Sequence, residues 1–512
     1  MRMSSRVLVC LAVVTLAGCA SLEPRPELPN EAAVPVGSGM PLDGLIADAE
    51  AKRPGESGFR LVNEGPDAFA IRSRSALLAR RSLDVQTYIW HEDATGAFLA
   101  YRVLEAADRG VKVRLLVDDM DARAKNYAFA ALDAHPNIEV RMFNPFASRA
   151  GAVRFALEAM GSFGRINRRM HNKTWIADNR IAIVGGRNLG DEYFGASDEV
   201  NFTDLDFAMV GPIVRDASAS FDRYWNSPLA YPMAVLSPQD VTPAALDALR
   251  ARAAPRVAQA EQSRFASELR NNDAVQRLVS GDWPMQWTSQ FRFVSDDPLK
   301  ALGKGGGIKG SDVLATLGPM VKSARDKLTV ISPYFVPGDQ ATQGLVTVAK
   351  SGTNVRILTN SLAANDVAMV YGGYSKWREP LLEGGVKLWE LKPTRGSTVK
   401  SSLFGSSGAS LHTKALTADG SRVFVGSYNL DPRSTSLNCE QGVFVDNPVV
   451  ATQLEAIFAT ESSGARAWAV TLQDGDLRWN DGTQTHDSAP DASAGRKFQA
   501  WLARVLPINS QL

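Results

Sequence analysis

Arg169-Met170-His171-Asn172-Lys173-Thr174-Trp175-Ile176-Ala177-Asp178, followed by Gly185-Gly186-Arg187-Asn188, returns later in the chain. The second copy is Leu411-His412-Thr413-Lys414-Ala415-Leu416-Thr417-Ala418-Asp419, followed by Gly426-Ser427-Tyr428-Asn429. Both copies read H-x-K-x-x-x-x-D and then, at the same spacing, G-x-x-N. The chain holds 5 histidines, and two of them occupy the same place in this pattern. With ordinary Lys and Asp usage, a random His would meet both partners at these offsets roughly once in a few hundred tries. Two full matches therefore identify a duplication.

Segments outward from the motif repeat in the same order. Ala79 to Val85 is matched by Ala324 to Val330, Gly110 to Leu116 by Gly352 to Leu358, and Asn137 to Pro145 by Gly385 to Pro393. Between these β-branched runs lie stretches with apolar residues at helical spacing, such as Phe98 to Ala107 and Leu345 to Ala349. Strands alternating with helices argue for α/β units on a parallel or mixed sheet. The fold expected is two tandem α/β domains, residues 56–235 and 290–468, packed about a pseudo-twofold axis with the active site at their interface. Residues 236–289, rich in Ala, Arg, Gln and Glu, read as a helical connector. Residues 469–512 read as an extension ending in an apolar helix (Phe498, Leu502, Val505, Leu506) that docks on the body. Gly303-Lys304-Gly305-Gly306-Gly307 lacks the closing G-K-[ST] of a phosphate loop and reads as a plain loop.

Within each motif, His and Lys two residues apart on a strand share one face. Asp178-Asn179 and Asp419-Gly420 suit two-residue hairpin turns, and the return strands deliver Asn188 and Asn429 just past glycines. A lone His near a strand end is usually a hydrogen-bonded core residue. Two such faces brought together instead give two His, two Lys and two Asn around one point, which suits a phosphodiester. The ammoniums and amides would hold the non-bridging oxygens. One neutral imidazole would attack phosphorus, and the other, protonated, would donate to the leaving oxygen. This chemistry calls for no metal and no cofactor. His91, His135 and His486 lack partner spacing and read as loop or surface residues.

The amino terminus and the composition place the chain. Arg2 and Arg6 precede a short apolar run that ends Leu16-Ala17-Gly18-Cys19. Residues 1–18 thus read as a lipoprotein signal peptide, with Cys19 lipidated and anchoring the domain to a membrane surface. By resemblance to the sorting rule of enterobacterial lipoproteins, Ala20 in place of Asp implies an outer membrane and a periplasm-facing domain. Residues 19–55, punctuated by Pro24, Pro26, Pro29, Pro35 and Pro41, read as an extended tether. Beyond Cys10 and Cys19 the chain has Cys439 alone, so no intrachain disulfide forms in the body, and no Cys/His cluster has metal-ligand spacing. A net charge of +1 argues against nucleic acid as a partner, and 45% hydrophobic residues over 512 suffice for two cores.

The doubled motif is similar to that of the phospholipase D superfamily over residues 60–465. Ser332 to Pro337 (SPYFVP), Asn360 to Ala368 (NSLAANDVA) and Gly426 to Ser434 (GSYNLDPRS) further resemble bacterial cardiolipin synthases of the C type. The resemblance implies His171, Lys173, Asp178, His412, Lys414 and Asp419 as catalytic, and Asn188, Asn429 and Ser427 as phosphate-binding. Gly186 stands where Ser is commoner. It also implies an acidic residue orienting each His, carried to Asp204 for His171 and to Glu440 for His412, with Asp206 as competitor. The first-half His is the expected nucleophile. The implied function is transfer of a phosphatidyl group through a phosphohistidine to a glycerol-containing acceptor, giving cardiolipin. The substrates would be phosphatidylglycerol and possibly phosphatidylethanolamine, with the need for a helper protein left open. Hydrolysis by a phospholipase D and cleavage of nucleic acid are the alternatives.

Overall fold

The computed structural model describes residues 22, 24–147, 158, 164–280, 283–307, 310–365, 367–393 and 411–505. Residues 1–18, Cys19 and Leu506, on which the signal-peptide, lipidation and terminal-helix readings partly rest, lie outside them. Nine strands build the first sheet: β1 (Ser57–Val62), β2 (Ser82–Thr87), β3 (Lys112–Asp118), β4 (Ile138–Phe143), β5 (Thr174–Ala177), β6 (Ile181–Gly185), β7 (Asp206–Val210), β8 (Ala230–Pro232) and β9 (Gln286–Thr288), in the order β8-β4-β3-β2-β5-β6-β7-β1-β9. Ten build the second: β10 (Phe291–Ser295), β11 (Lys327–Ile331), β12 (Asn354–Asn360), β13 (Lys387–Leu391), β14 (Ala415–Ala418), β15 (Arg422–Gly426), β16 (Gln441–Asp446), β17 (Ala467–Gln473), β18 (Asp476–Asn480) and β19 (Thr485–His486). Their order is β10-β16-β15-β14-β11-β12-β13-β17-β18-β19.

The repeat is plain in the pairing. β2, β3 and β4 are mutually parallel, as are β11, β12 and β13, and helices bridge the crossovers. The motif hairpin β5–β6 joins antiparallel to β2, and β14–β15 joins likewise to β11. Both sheets are therefore mixed, and both motifs enter at the carboxyl ends of the parallel strands. The turns closing these hairpins use positive φ at Asp178, Asn179, Asp419 and Gly420, as the sequence predicts.

Strand alternation distributes the core. Ile183 and Ala208 face the first domain's own cluster, whereas Ala182, Val184, Phe207 and Met209 face a second cluster shared with Val423, Val425, Val443 and Val445. The helices Pro212–Trp225 and Pro448–Glu461 contribute Phe221, Tyr224, Leu454 and Phe458 to that shared cluster. The sheets thus meet through one continuous apolar layer, a strongly favourable burial at about 25 cal/mol per Å². That layer fixes the halves against each other. Three helices (Pro243–Glu261, Arg264–Asn271, Asp273–Ser280) occupy the connector, and β9 returns from it to pair with β1.

Two regions depart from expectation. From residue 24 the supposed tether lies against the first domain. Arg25 Nε donates to the Ala230 carbonyl (2.7 Å), Glu31 accepts from Arg141 and Trp225 (both 3.0 Å), and Ala33 N donates to Asp222 (2.7 Å). Residues Pro41–Ala51 then form a helix. Its buried Asp43 takes Arg81 and Arg180, each at 2.7 Å, and the Arg81 hydrogen bond holds its carboxyl far below the usual carboxylate range. Pro-rich composition predicts extended chain, but not the arginines of distant strands that fasten it. At the other end, the helix Ala494–Val505 does dock, yet through Ala500 and Ala503, and Phe498, Leu502 and Val505 are exposed.

Candidate active site

Backbone bridges between the domains assemble the site. His171 N donates to the Cys439 carbonyl (2.9 Å) and Cys439 N to the Arg169 carbonyl (2.8 Å), while His412 N donates to the Thr203 carbonyl (2.7 Å). Each motif thereby lies beside the residue preceding an acid of the other half. His171 Nδ1 sits 3.0 Å from Glu440 Oε2, and His412 Nδ1 sits 2.6 Å from Asp204 Oδ2. The orienting acids are the two expected, but the pairing is crossed: Glu440 serves His171 and Asp204 serves His412. Alignment of the repeats correctly matched the acids to one another, and it could not show which domain each reaches into. Asp206 is bound instead by Arg72 (2.9 Å) and Arg187 (3.3 Å), both buried.

The residue before each His is clamped from the end of a parallel strand. Asp118, closing β3, accepts from Met170 N (2.8 Å) and Arg169 Nη1 (3.2 Å). Asn360, closing β12, accepts from Leu411 N (3.1 Å) and donates to its carbonyl (3.0 Å). These positions match within the repeat, so the signal for them lay two residues past the segments Gly110 to Leu116 and Gly352 to Leu358. Tyr88, just after β2, was missed for want of a repeated partner. Its ring meets the His171 ring edge-on at 5.3 Å and receives the Lys173 ammonium at 5.2 Å.

The two lysines curl back onto their own motifs, Lys173 Nζ to the His171 carbonyl and Lys414 Nζ to the His412 carbonyl, each at 2.6 Å. All four basic side chains are buried, and their charges oppose one another. Burial pushes Lys173 down to about 7, with Lys414 lowering it further against the pull of Glu440. Burial likewise pushes His171 down to about 4, and His412 falls well below its usual value through burial and the nearby Lys414, Lys173 and His171. Both imidazoles are neutral in the resting site. His171 Nδ1 faces two acceptors, Glu440 and the Ser427 carbonyl (3.1 Å), so it carries the hydrogen and leaves the Nε2 lone pair available.

The two acids differ. Glu440 receives Ser427 Oγ (2.5 Å), Ser434 Oγ (2.8 Å) and His171; burial alone would raise it, but His171, Ser427 and Lys173 outweigh that and hold it below its usual value. Asp204 receives His412 and the Leu205 amide (2.7 Å), and burial raises its carboxyl above its usual value against the pull of Lys414 and Arg187. The Ser427 hydroxyl is thus committed to Glu440, and to the Gln441 amide (3.0 Å), which corrects its expected role on phosphate. Gly186 fills the matching place because a Cβ there would lie 2.2 Å from Asp204 Oδ1.

Asp178 and Asp419, expected among the catalytic groups, are elsewhere. Asp178 accepts from the amides of Arg80, Arg81 and Ser82, and Asp419 from those of Arg325, Asp326 and Lys327. Each stands at the far end of its motif strand, about 17 Å of extended chain from the motif Lys. They tie the hairpin to the turn before the central strand. Asn188 and Asn429 do follow the return strands. Asn188 already donates to the Tyr193 hydroxyl (2.8 Å), and Asn429 Oδ1 is buried with no hydrogen-bond partner among the described residues. His412 is further enclosed by Tyr193, edge-on at 5.3 Å, and by Phe202, stacked at 5.7 Å.

The remaining histidines have partners that spacing did not reveal: His91 pairs with Glu192 (3.0 Å), His135 with Asp108 (3.1 Å), and His486 packs on Trp468. His91, Asp93 and Glu192 are the one group among the described residues near enough to share a metal ion. Asp93 is already the cap of the helix Ala94–Asp108 through Gly96 N, and it also accepts from Asp191 N (2.7 Å).

A family model described as cardiolipin synthase, phospholipase D-like domain, matches residues 76–225 and 317–461, more than half of the chain. Cardiolipin synthase C of Escherichia coli is 39% identical over 474 residues, covering 90% of this chain and 97% of its own length. An uncharacterized protein of Helicobacter pylori is 30% identical over 98% of both chains. The crystal structure of phosphatidylserine synthase from Haemophilus influenzae superposes with a TM-score of 0.54 at 13% identity, covering 83% of this chain and 91% of that one, a likeness of fold. The chain belongs to the cardiolipin synthase, phospholipase D-like family, and with it to that family's class of phosphatidyltransferases.

Proposed function

We propose that this protein makes cardiolipin by transphosphatidylation through a phosphohistidine on His171. The observation that carries the reading is the crossed pairing, which puts both motif histidines on one site with unlike acids behind them. Glu440, firmly ionised and fed by three donors, supports the positive charge that develops on His171 when its Nε2 bonds to phosphorus. The His412–Asp204 pair, with a raised carboxyl and a short contact, titrates as a unit and supplies the proton to the departing alcohol. The same pair then accepts the proton of the incoming hydroxyl. Lys173 and Lys414 neutralise the non-bridging oxygens.

The substrate side of the proposal follows the family: phosphatidylglycerol as donor and acceptor, with phosphatidylethanolamine as an alternative donor. An acylated Cys19 facing a periplasm belongs to the same proposal. Because the chain is fastened from Arg25 onward, such an anchor would reach at most about 20 Å and hold the body against a bilayer rather than away from it. Among the described residues no helix is long and apolar enough to cross a membrane.

Mass spectrometry of products from purified protein and labelled phosphatidylglycerol, with and without phosphatidylethanolamine, tests the reading. Dimeric lipid is the expected product. Phosphatidic acid alone would replace transfer by hydrolysis, and cleavage of DNA without lipid turnover would replace both.

A further inference from the structure

The C-terminal helix Ala494–Val505 is built inside out for a helix that has only to cover the body. It packs on the helix Ala368–Ser375 through its small residues, Ala500 and Ala503. The contact is close because Gly372 lies opposite: a Cβ there would stand 2.3 Å from the Ala500 carbonyl and 2.7 Å from Ala503 Cβ. The large apolar side chains point the other way. Phe498, Trp501, Leu502 and Val505 follow the i, i+3, i+4, i+7 stripe of one helix face. They are 60%, 56%, 40% and 58% exposed, and Phe498 and Trp501 stack on each other at 5.8 Å. The other exposed large hydrophobics among the described residues are scattered over four distant segments. Lys497 and Arg504, both exposed, flank the stripe.

Position gives the face its meaning. Arg496 fixes the helix to the body, donating Nε to the Leu362 carbonyl (3.0 Å) and Nη2 to the Asn365 carbonyl. That loop follows directly from Asn360, which clamps the residue before His412. The stripe is therefore fastened to the carboxyl edge of the second sheet, the edge that carries the catalytic motif.

From this arrangement we infer that the C-terminal helix is a membrane-docking element, which lays Phe498, Trp501, Leu502 and Val505 into the interface of an anionic phospholipid bilayer beside the active site. Aromatic and branched side chains on one face with flanking Lys and Arg are the composition that an interfacial helix needs. The bases meet anionic headgroups, and Trp suits the boundary between headgroup and acyl chain. The choice of a bilayer as occupant rests on the phospholipid-substrate reading: an enzyme whose substrate has two acyl chains in a membrane gains if its mouth is held at that surface.

The test is flotation of the full chain carrying Cys19→Ser, so that no acyl group masks the helix, with vesicles of phosphatidylglycerol or of phosphatidylcholine. Binding to phosphatidylglycerol vesicles is expected to exceed that to phosphatidylcholine. Phe498→Asp/Trp501→Asp should lower it by at least about tenfold. Lys497→Glu/Arg504→Glu should remove the preference for the anionic lipid. The first double variant should still turn over a short-chain phosphatidylglycerol dispersed below its micellar concentration within about twofold of the parent, since the stripe faces away from the body. Equal flotation of parent and variant overturns the assignment. So does loss of activity on the dispersed substrate, which would make the helix a support of the site. A parent that is dimeric where the variant is monomeric by light scattering would assign the stripe to a second copy. If no phospholipid is turned over and flotation is still lost in the variant, the functional reading fails and the docking helix stands.

Discussion

His171 and His412 occupy equivalent positions in equivalent sheets, yet the groups behind them are not equivalent. Glu440 reaches His171 with one methylene more than Asp204 has, and that length makes room for Ser427 to donate to it at 2.5 Å. Asp204 approaches so closely that the opposite position must be Gly186. One acid therefore keeps its negative charge in a fully buried place, and the other is driven by burial toward its protonated form. A duplicated fold supplies two copies of one histidine motif, and in the proposed mechanism this difference gives them different work: a charge-stabilised imidazole on one side, a proton-bearing pair on the other.

Removing either histidine is the largest break. His171→Ala and His412→Ala should each cut turnover of a natural phospholipid by on the order of 10⁴-fold or more. A substrate with a very good leaving group separates them, because it needs no acid. With it, His412→Ala should still form the phosphoenzyme and accumulate it, while His171→Ala should remain unlabelled. Label trapped on His412 in the His171→Ala variant would reverse the division of work.

Exchanging the acids for amides comes next, at about 10²- to 10⁴-fold. Glu440→Gln removes the charge behind His171 and should slow phosphoenzyme formation even with the good leaving group. Asp204→Asn should leave that step nearly intact and impair transfer to the acceptor. If both variants affect the same step, the comparison collapses. The pH profile sharpens it further. His171 must be neutral and Lys173 charged, so kcat/KM in the free enzyme should rise through about 4 and fall through about 7. Lys173→Arg should move the fall to higher pH, where loss of the proton from the His412–Asp204 pair sets it, since a guanidinium keeps its charge there.

Much of this was legible in the sequence, and the reasons are local. The repeat of H-x-K and G-x-x-N gave two sheets with motif hairpins in matching places, because hairpin turns and strand alternation are short-range properties. Asp178 and Asp419 show where a motif misleads: a residue repeated as faithfully as the catalytic ones holds three backbone amides, and its catalytic appearance came from its neighbours in the pattern. The crossed acids, the Tyr88 ring and the docked segment from residue 24 were not legible, since each depends on which distant surface a residue meets. Asp178→Ala should accordingly destabilise the fold by roughly 2–3 kcal/mol by orphaning amides in a buried place. Asp419→Ala should cost about 1 kcal/mol, because Asp419 is partly exposed and water can replace it. Denaturant melts compare the two. Residual activity per folded molecule should stay near the parent's in both, and a specific loss of kcat would return them to the catalytic set.

The smallest expected effect on the chemical step bears most directly on why the halves differ. Ser427 is where the second copy has a hydroxyl and the first has none, and that hydroxyl points at Glu440 rather than at open site. Ser427→Ala deletes one of three donors from a buried carboxylate without opening a large space. The loss should amount to about 1.5–3 kcal/mol on the ionised form, the range for a hydrogen bond to a charged group. Its sign follows: with a donor gone, Glu440 rises toward its neutral form, less charge supports the phosphorylated imidazole, and formation of the intermediate slows by roughly ten- to a hundredfold. A role on phosphate would show differently. Ser427 would then be felt mainly in KM for the phospholipid, and the pH at which the acid limb begins would not move. Raised kinetic onset of that limb with KM unchanged is the outcome expected here, and Ser427→Thr, which keeps the donor, should restore most of the rate wherever its extra methyl is accommodated.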